Sequence, residues 1–192
     1  STVYQQIQRS LIGSLSKLWQ SLDEEDRRAW VTWAQNNPIS DSLGFQQILT
    51  GHVAYVKINT RVARMGGTLL TLPPIAAPPT ALLELEVEAY ASNGAVELTF
   101  APTPVGADQH VIVDAAVVNS AGINYVKNLM KQICISSAAQ ATGYDVGEFV
   151  LERYGEIQKG QQIYINARVG DATTGLYSAI NSARCTVEAA PV

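Results

Sequence analysis

The sequence predicts an α+β protein with its two classes segregated along the chain. An N-terminal helical arm of three helices is followed by an antiparallel β-sandwich. Three observations predict this. The hydrophobic period is near 3.6 residues up to about residue 67 and becomes 2 from residue 82 onward. Between them lies TLLTLPPIAAPPTAL, with Pro73-Pro74 and Pro78-Pro79 three residues apart. Each proline lacks an N–H and restricts its predecessor, so this stretch suits neither a helix nor a strand interior. Beyond it, turn signals recur every 8–12 residues or so, the spacing of a small sandwich. The expected divisions are 1–67 for the arm, 68–81 for a stiff, extended linker and 82–192 for the sandwich.

In the arm, Ile7, Leu11, Leu15, Leu18, Trp19 and Leu22 form one apolar stripe at helical spacing, weakened by Gly13 and its neighbouring serines. A second helix is expected within SLDEEDRRAWVTWAQNN. Ser21 and Glu24 match a capping box, and acids fill the first turn, where the helix dipole favours them. That acidic run also suits a cation, but a solvated first turn accounts for it. Trp30, Val31 and Ala34 share a face, with Trp33 beside it, and Asn37-Pro38 ends the helix. A third helix is capped by Thr50, carries Ala54, Tyr55, Ile58, Val62 and Met65 as its stripe, and stops at Gly66. His52 has no neighbour in sequence that completes a metal or acid–base site. About 65 residues make a marginal independent domain. The arm is therefore expected to pack against neighbouring chains through Trp19, Trp30, Trp33, Tyr55, Ile58 and Val62.

In the sandwich, Leu83, Leu85, Val87 and Ala89 alternate with Glu84, Glu86 and Glu88. This pattern predicts a half-buried strand with an acidic wet face. The glutamates invite a cation, but no loop oxygens converge with them. Asn93-Gly94 predicts a hairpin turn into a strand with Val96, Leu98 and Phe100 inward. HVIVDAAVV, with Val111, Val113, Ala115 and Val117 on one face, is the third strand, followed by a turn at SAGIN. The stretch YVKNLMKQICISSAA is assigned as strand, although its start also suits a helix. FVLERYGEI, QQIYINARV and SAINSARCTV complete the set. Cys134 and Cys185 both fall in expected strands and read as small buried apolar residues, with a single bridge between them left open.

Chemistry is sparse. Asp108 and His110, with Ser120 downstream, contain the residue types of a hydrolase triad, but no nucleophile elbow accompanies them. No phosphate loop, dinucleotide fingerprint or zinc-helix motif is present, and no cofactor, metal site or catalytic residue is expected. The net charge is −4 without a cationic cluster, which argues against direct nucleic-acid binding. No run of apolar residues reaches the length needed to span a bilayer. STVYQQIQRSLIG lacks signal-peptide regions, as a processed protein also would, so export stays open. Apolar content of 47% against 16% charged residues describes a folded chain with a thinly charged surface, as in a protein within an assembly.

Two resemblances add to this. EIQKGQQIYINARVGDATTGLYSAINSARCTV resembles the end of a fibronectin type III domain, with Ile157, Gly160, Ile163, Ile165, Ala167, Val169, Gly175 and Ser178 matching in order. Ile163 stands where that family has its corner tyrosine, and Tyr164 should point outward. The resemblance implies an immunoglobulin/fibronectin III-like sandwich. More of the chain is similar to uncharacterised proteins encoded in phage and phage-like bacterial regions. The shared order is DEEDRRAWVTWA, DSLG, LTGHVAYVKIN and LPP, then FAPTPVGADQHVIVDAAVVNSAGINYVKNL, then GEIQKGQQIYINARV and TTGLYSA. Trp30, Gly51, Asn59 and the proline pair fall at matching places. That resemblance implies a virion component such as a minor capsid, decoration or head–tail protein. Its partners would be other virion proteins or copies of itself in a large oligomer, with no catalytic residue. The competing expectation is an extracellular or cell-surface binding and adhesion module, since sandwiches of this kind also serve that role.

Overall fold

The structure, a computed structural model, describes residues 3–40, 44–120, 122–123 and 125–189. Part of the DSLG motif (41–43) and two positions of the SAGIN turn (121 and 124) lie outside the described residues. The chain divides into two compact units, Ser1–Ala77 with Ala172–Leu176, and Pro78–Asp171 with Tyr177–Val192.

The first unit contains α1 (Val3–Ser21), α2 (Glu24–Asn36) and α3 (Gly51–Arg64). A two-residue ribbon, β1 (Ile39–Ser40) with β2 (Gln46–Gln47), lies between α2 and α3. Thr50 caps α3 as expected, its hydroxyl accepting from Val53 N at 3.3 Å. The capping box at Ser21 does not form. Ser21 ends α1 and donates its hydroxyl to Leu18 O, and Asp23 is the N-cap of α2. The core joins Leu15, Trp30, Ala34, Ala54, Tyr55, Ile58 and Val62, with Leu11, Trp19, Trp33, Leu70 and Leu176 at its border. Residues 70–74, within the expected linker, are fastened to this unit. Trp30 Nε1 donates to Thr71 O at 2.7 Å and Trp33 Nε1 to Pro74 O at 3.1 Å. Prolines lack a donor but keep their carbonyl acceptor, so a proline-rich strap still takes bonds from the indoles.

The second unit has a three-stranded sheet of β3 (Leu83–Ala89), β4 (Val96–Ala101) and β7 (Tyr144–Asp145), in the order β3-β4-β7. Its four-stranded sheet holds β5 (Gln109–Val118), β6 (Lys131–Ala138), β8 (Gln162–Asp171) and β9 (Asn181–Thr186), in the order β6-β5-β8-β9. The first, second and fifth strands of the unit thus form one sheet and the other four form the second, all antiparallel within their sheets. Seven antiparallel strands divided in this way between two sheets make a β-sandwich. The central pair, β5 and β8, runs unbroken from Gln109↔Asp171 to Val118↔Gln162. Its inward set, Val111, Val113, Ala115, Ile163, Ile165, Ala167 and Val169, is buried against Val96 and Leu98, following the period-2 pattern. Tyr164 points outward and donates its hydroxyl to Ile123 O at 2.8 Å.

Three expectations need correction. Among the described residues there are four helices, not three: FVLERYGEI is not a strand, because α4 spans Gly147–Tyr154. Val150 and Tyr154, one helical turn apart, face the core, and Tyr154 donates its hydroxyl to Ala115 O at 2.5 Å. Leu83 does not face inward. It is 58% exposed, because Glu84 has φ 52° and the ladder slips between Leu83 and Glu86, so Leu82 takes the buried place. The YVKNLMKQICISSAA stretch is strand only in its second half, as β6.

Cys134 and Cys185 are free thiols. They lie on β6 and β9, the two outer strands of the four-stranded sheet. Three strand spacings, about 14 Å, separate these strands. A disulfide requires Cα atoms within about 7 Å, so no bridge joins them.

Candidate functional site

The six arm residues expected to meet partner chains are divided by their packing. Trp30, Tyr55, Ile58 and Val62 are buried in the helical unit's own core, while Trp19 and Trp33 are half-buried at its edge. Their rings interlock. Trp30 meets Tyr55 edge-on at 5.4 Å between centroids, Trp33 at 5.9 Å, and Trp19 reaches Tyr55 at 5.5 Å. Asn59, fully buried among them, donates to Tyr55 O and Leu70 O and accepts from Leu70 N at 2.6 Å. Sequence reading missed this cross-link: an asparagine in a helix gives no local sign of a partner eleven residues later. Exposed apolar side chains of this unit include Ile7, Ile12 and Leu18 of α1 and Ile48 (64% exposed).

The two histidines make separate polar contacts. His52 Nε2 lies 3.3 Å from Ser16 Oγ, with its ring beside Trp19. His110 Nδ1 is 2.8 Å from Ser136 O, and Ser120 Oγ accepts from Gly122 N at 3.3 Å. Asp108 is exposed, so the three residue types of the triad are engaged separately. Glu86 and Glu88 stand on the solvent face, and Glu88 is directly opposite Glu97. Tyr90 donates its hydroxyl to Glu88 Oε2 at 2.7 Å, and that hydrogen bond, with burial and nearby carboxylates, pushes the phenol's pKa up. Among the described residues no group of three or more His, Cys, Asp or Glu side chains is arranged to hold a metal ion.

On the opposite sheet, Arg168 pairs with Asp114 at 3.6 Å and lies over the Tyr177 ring at 4.9 Å. An open groove of about 520 Å³ runs between the β3–β4 turn and α4. Ser92, Asn93, Val150, Leu151, Ile157 and Gln158 are among its lining residues. It offers main-chain groups and apolar side chains but no cluster of convergent charges.

No family model matches the chain, and no curated protein matches it in sequence. Among solved structures it is similar to an Fn3-like protein from Clostridium thermocellum. That likeness has 14% identity and a TM-score of 0.38 and covers 60% of this chain and 98% of the other. At that score the neighbour carries no argument, and the sandwich rests on its own strand pairing.

Proposed function

We propose that the protein is a non-catalytic structural component of a phage or phage-like particle, such as a minor capsid, decoration or head–tail protein. Its helical unit holds other particle proteins or copies of the same chain. The observation that carries this reading is the apolar surface remaining on that unit after its own core is filled. Ile7, Ile12, Leu18 and Ile48 stay exposed while the tryptophans and Tyr55 are used internally or at its edge. Exposed apolar residues on a soluble domain mark interaction surfaces when they gather into one patch. The likeness in sequence order to phage-encoded proteins supplies the setting. Mass spectrometry of purified particles should find the chain at fixed stoichiometry, and substituting Ile7 and Ile12 with Glu should remove it from them without unfolding it. Recovery of the chain solely as a free monomer, with particles complete in its absence, would overturn the proposal.

A second reading, an extracellular or cell-surface binding module, is favoured by the groove beside α4. It requires a monomer whose ligand contacts Ser92, Asn93 or Leu151. Ligand-induced amide shifts confined to those residues would support it, and their absence with native extracellular ligands would remove it.

A further inference from the structure

Five residues between β8 and β9 belong to the helical unit and not to the sandwich that carries them in sequence. Leu176 packs against the helical core, and Arg61 Nη1 donates to Gly175 O at 3.4 Å. Gly175 has φ 67°, a conformation that favours glycine. A side chain there would begin 2.7 Å from Ile58 O and 2.9 Å from Val62 Cγ2. On the other flank, a Cβ at Gly67 would sit 2.1 Å from Ala172 O. The seat therefore has backbone against backbone on both sides and admits no added carbon. The loop's ends are closed by the sandwich ladder: Gly170 bridges Tyr177, Ser178 N donates to Val169 O at 2.8 Å, and Ser178 Oγ accepts from Val169 N.

We infer that residues 172–176 are the closing element of the helical unit's core, so that the unit first in sequence reaches its final packing only after the β8–β9 hairpin forms. The inference holds independently of which assembly the chain enters. α3 and the loop are 114 residues apart at the Arg61–Gly175 bond. No local interaction can bring such distant segments together early, because closing a long loop costs entropy before any contact repays it. The paired strands shape the loop in advance and so lower the cost of ordering it in its seat. A consequence is that an incomplete chain carries three helices whose core lacks its closing piece. A second consequence concerns binding, because a loop of the kind that serves as a ligand-contacting tip in other sandwiches is here committed to the chain's own helices.

The test uses the full chain and amide hydrogen exchange. Two variants are compared with the parent: Gly175→Ala, and replacement of Ala172–Leu176 by alternating Gly and Ser. In both, the α3 amides of Ile58, Asn59 and Val62 should exchange at least about tenfold faster, while those of Ile163 and Ile165 in β8 change by less than about twofold. During refolding of the parent, tryptophan fluorescence should recover no earlier than protection of the β8 amides. Unchanged α3 exchange in both variants would show the loop to be incidental. Equal acceleration in α3 and β8 would show one undivided cooperative unit. Fluorescence recovery ahead of β8 protection would reverse the proposed order. Any of the three overturns the inference.

Discussion

At the residue scale, buried polar atoms and thiols give the sharpest expectations. Asn59 satisfies both main-chain groups of Leu70 from inside an apolar core, so its removal leaves a part-buried donor and acceptor without their partner. Leaving such groups unpaired costs about 1–3 kcal/mol, and Asn59→Ala should lower stability by at least that much in urea titration. Asn59→Asp should be worse than neutral, because a carboxylate cannot donate to Leu70 O or Tyr55 O. The cysteines define an alkaline limit. Burial, the largest cause for both, raises Cys134 and Cys185 from 9.0 to about 11; Tyr144 pulls Cys134 back slightly, and Glu188 and Glu88 add to the rise at Cys185. The folded state therefore holds these protons more tightly than the unfolded chain. Below pH 9 both states are protonated and nothing is lost; between pH 9 and 11 the unfolded thiols ionise first and stability falls. Stability measured at steps across that window should decline, and Cys134→Ala with Cys185→Ala should flatten the decline. A slope unaltered by the double substitution would place its origin in other groups, such as Tyr144 and Tyr154, whose pKa values are also raised by burial.

At the element scale, legibility follows periodicity. β4 and β8 were readable because apolar residues alternate along them and place one set inward, and β5 because it is a run of β-branched and small apolar residues bounded by turn signals. α4 was not, since Phe149, Val150 and Leu151 form a short contiguous apolar run that fits either period. The four-residue step from Val150 to Tyr154 was the available signal. The distinction is testable. A strand would bury Phe149 and Leu151 together, whereas the helix buries Val150 and leaves Leu151 53% exposed. Val150→Ala should therefore cost about 1–3 kcal/mol and Leu151→Ala less than about 0.5 kcal/mol in denaturant titration. The reverse ranking would restore the strand. For the candidate contact surface, the apolar stripes were visible, but their assignment to partners or to the unit's own core was not. Nothing local announces that Leu70, the indole-bound strap and a loop more than a hundred residues away fill the space beside Trp30 and Ile58.

At the scale of the whole molecule, two separate cores imply two unfolding events, and the composition supplies a clean reporter. The chain has three tryptophans, Trp19, Trp30 and Trp33, and all of them lie in the helical unit. Their fluorescence consequently reports that unit alone, while the far-ultraviolet β signal and the β5–β8 amides report the sandwich. The helical unit rests on a small core closed by a distant loop, whereas the sandwich has an unbroken ten-residue central ladder and a larger buried set. Fluorescence should therefore be lost at lower temperature or urea than the β signal, so the chain departs from two-state behaviour. Trp30 is fully buried, stacked edge-on against two rings and bonded to Thr71 O. Trp30→Ala should destabilise the first event by about 3–5 kcal/mol, with Trp19 and Trp33 remaining as reporters. The sandwich event should keep its midpoint, since its buried residues form a cluster of their own that does not include Trp30. Superposition of the two transitions in the parent, or an equal shift of both in Trp30→Ala, would show that the cores melt as one and that the division into units has no thermodynamic meaning.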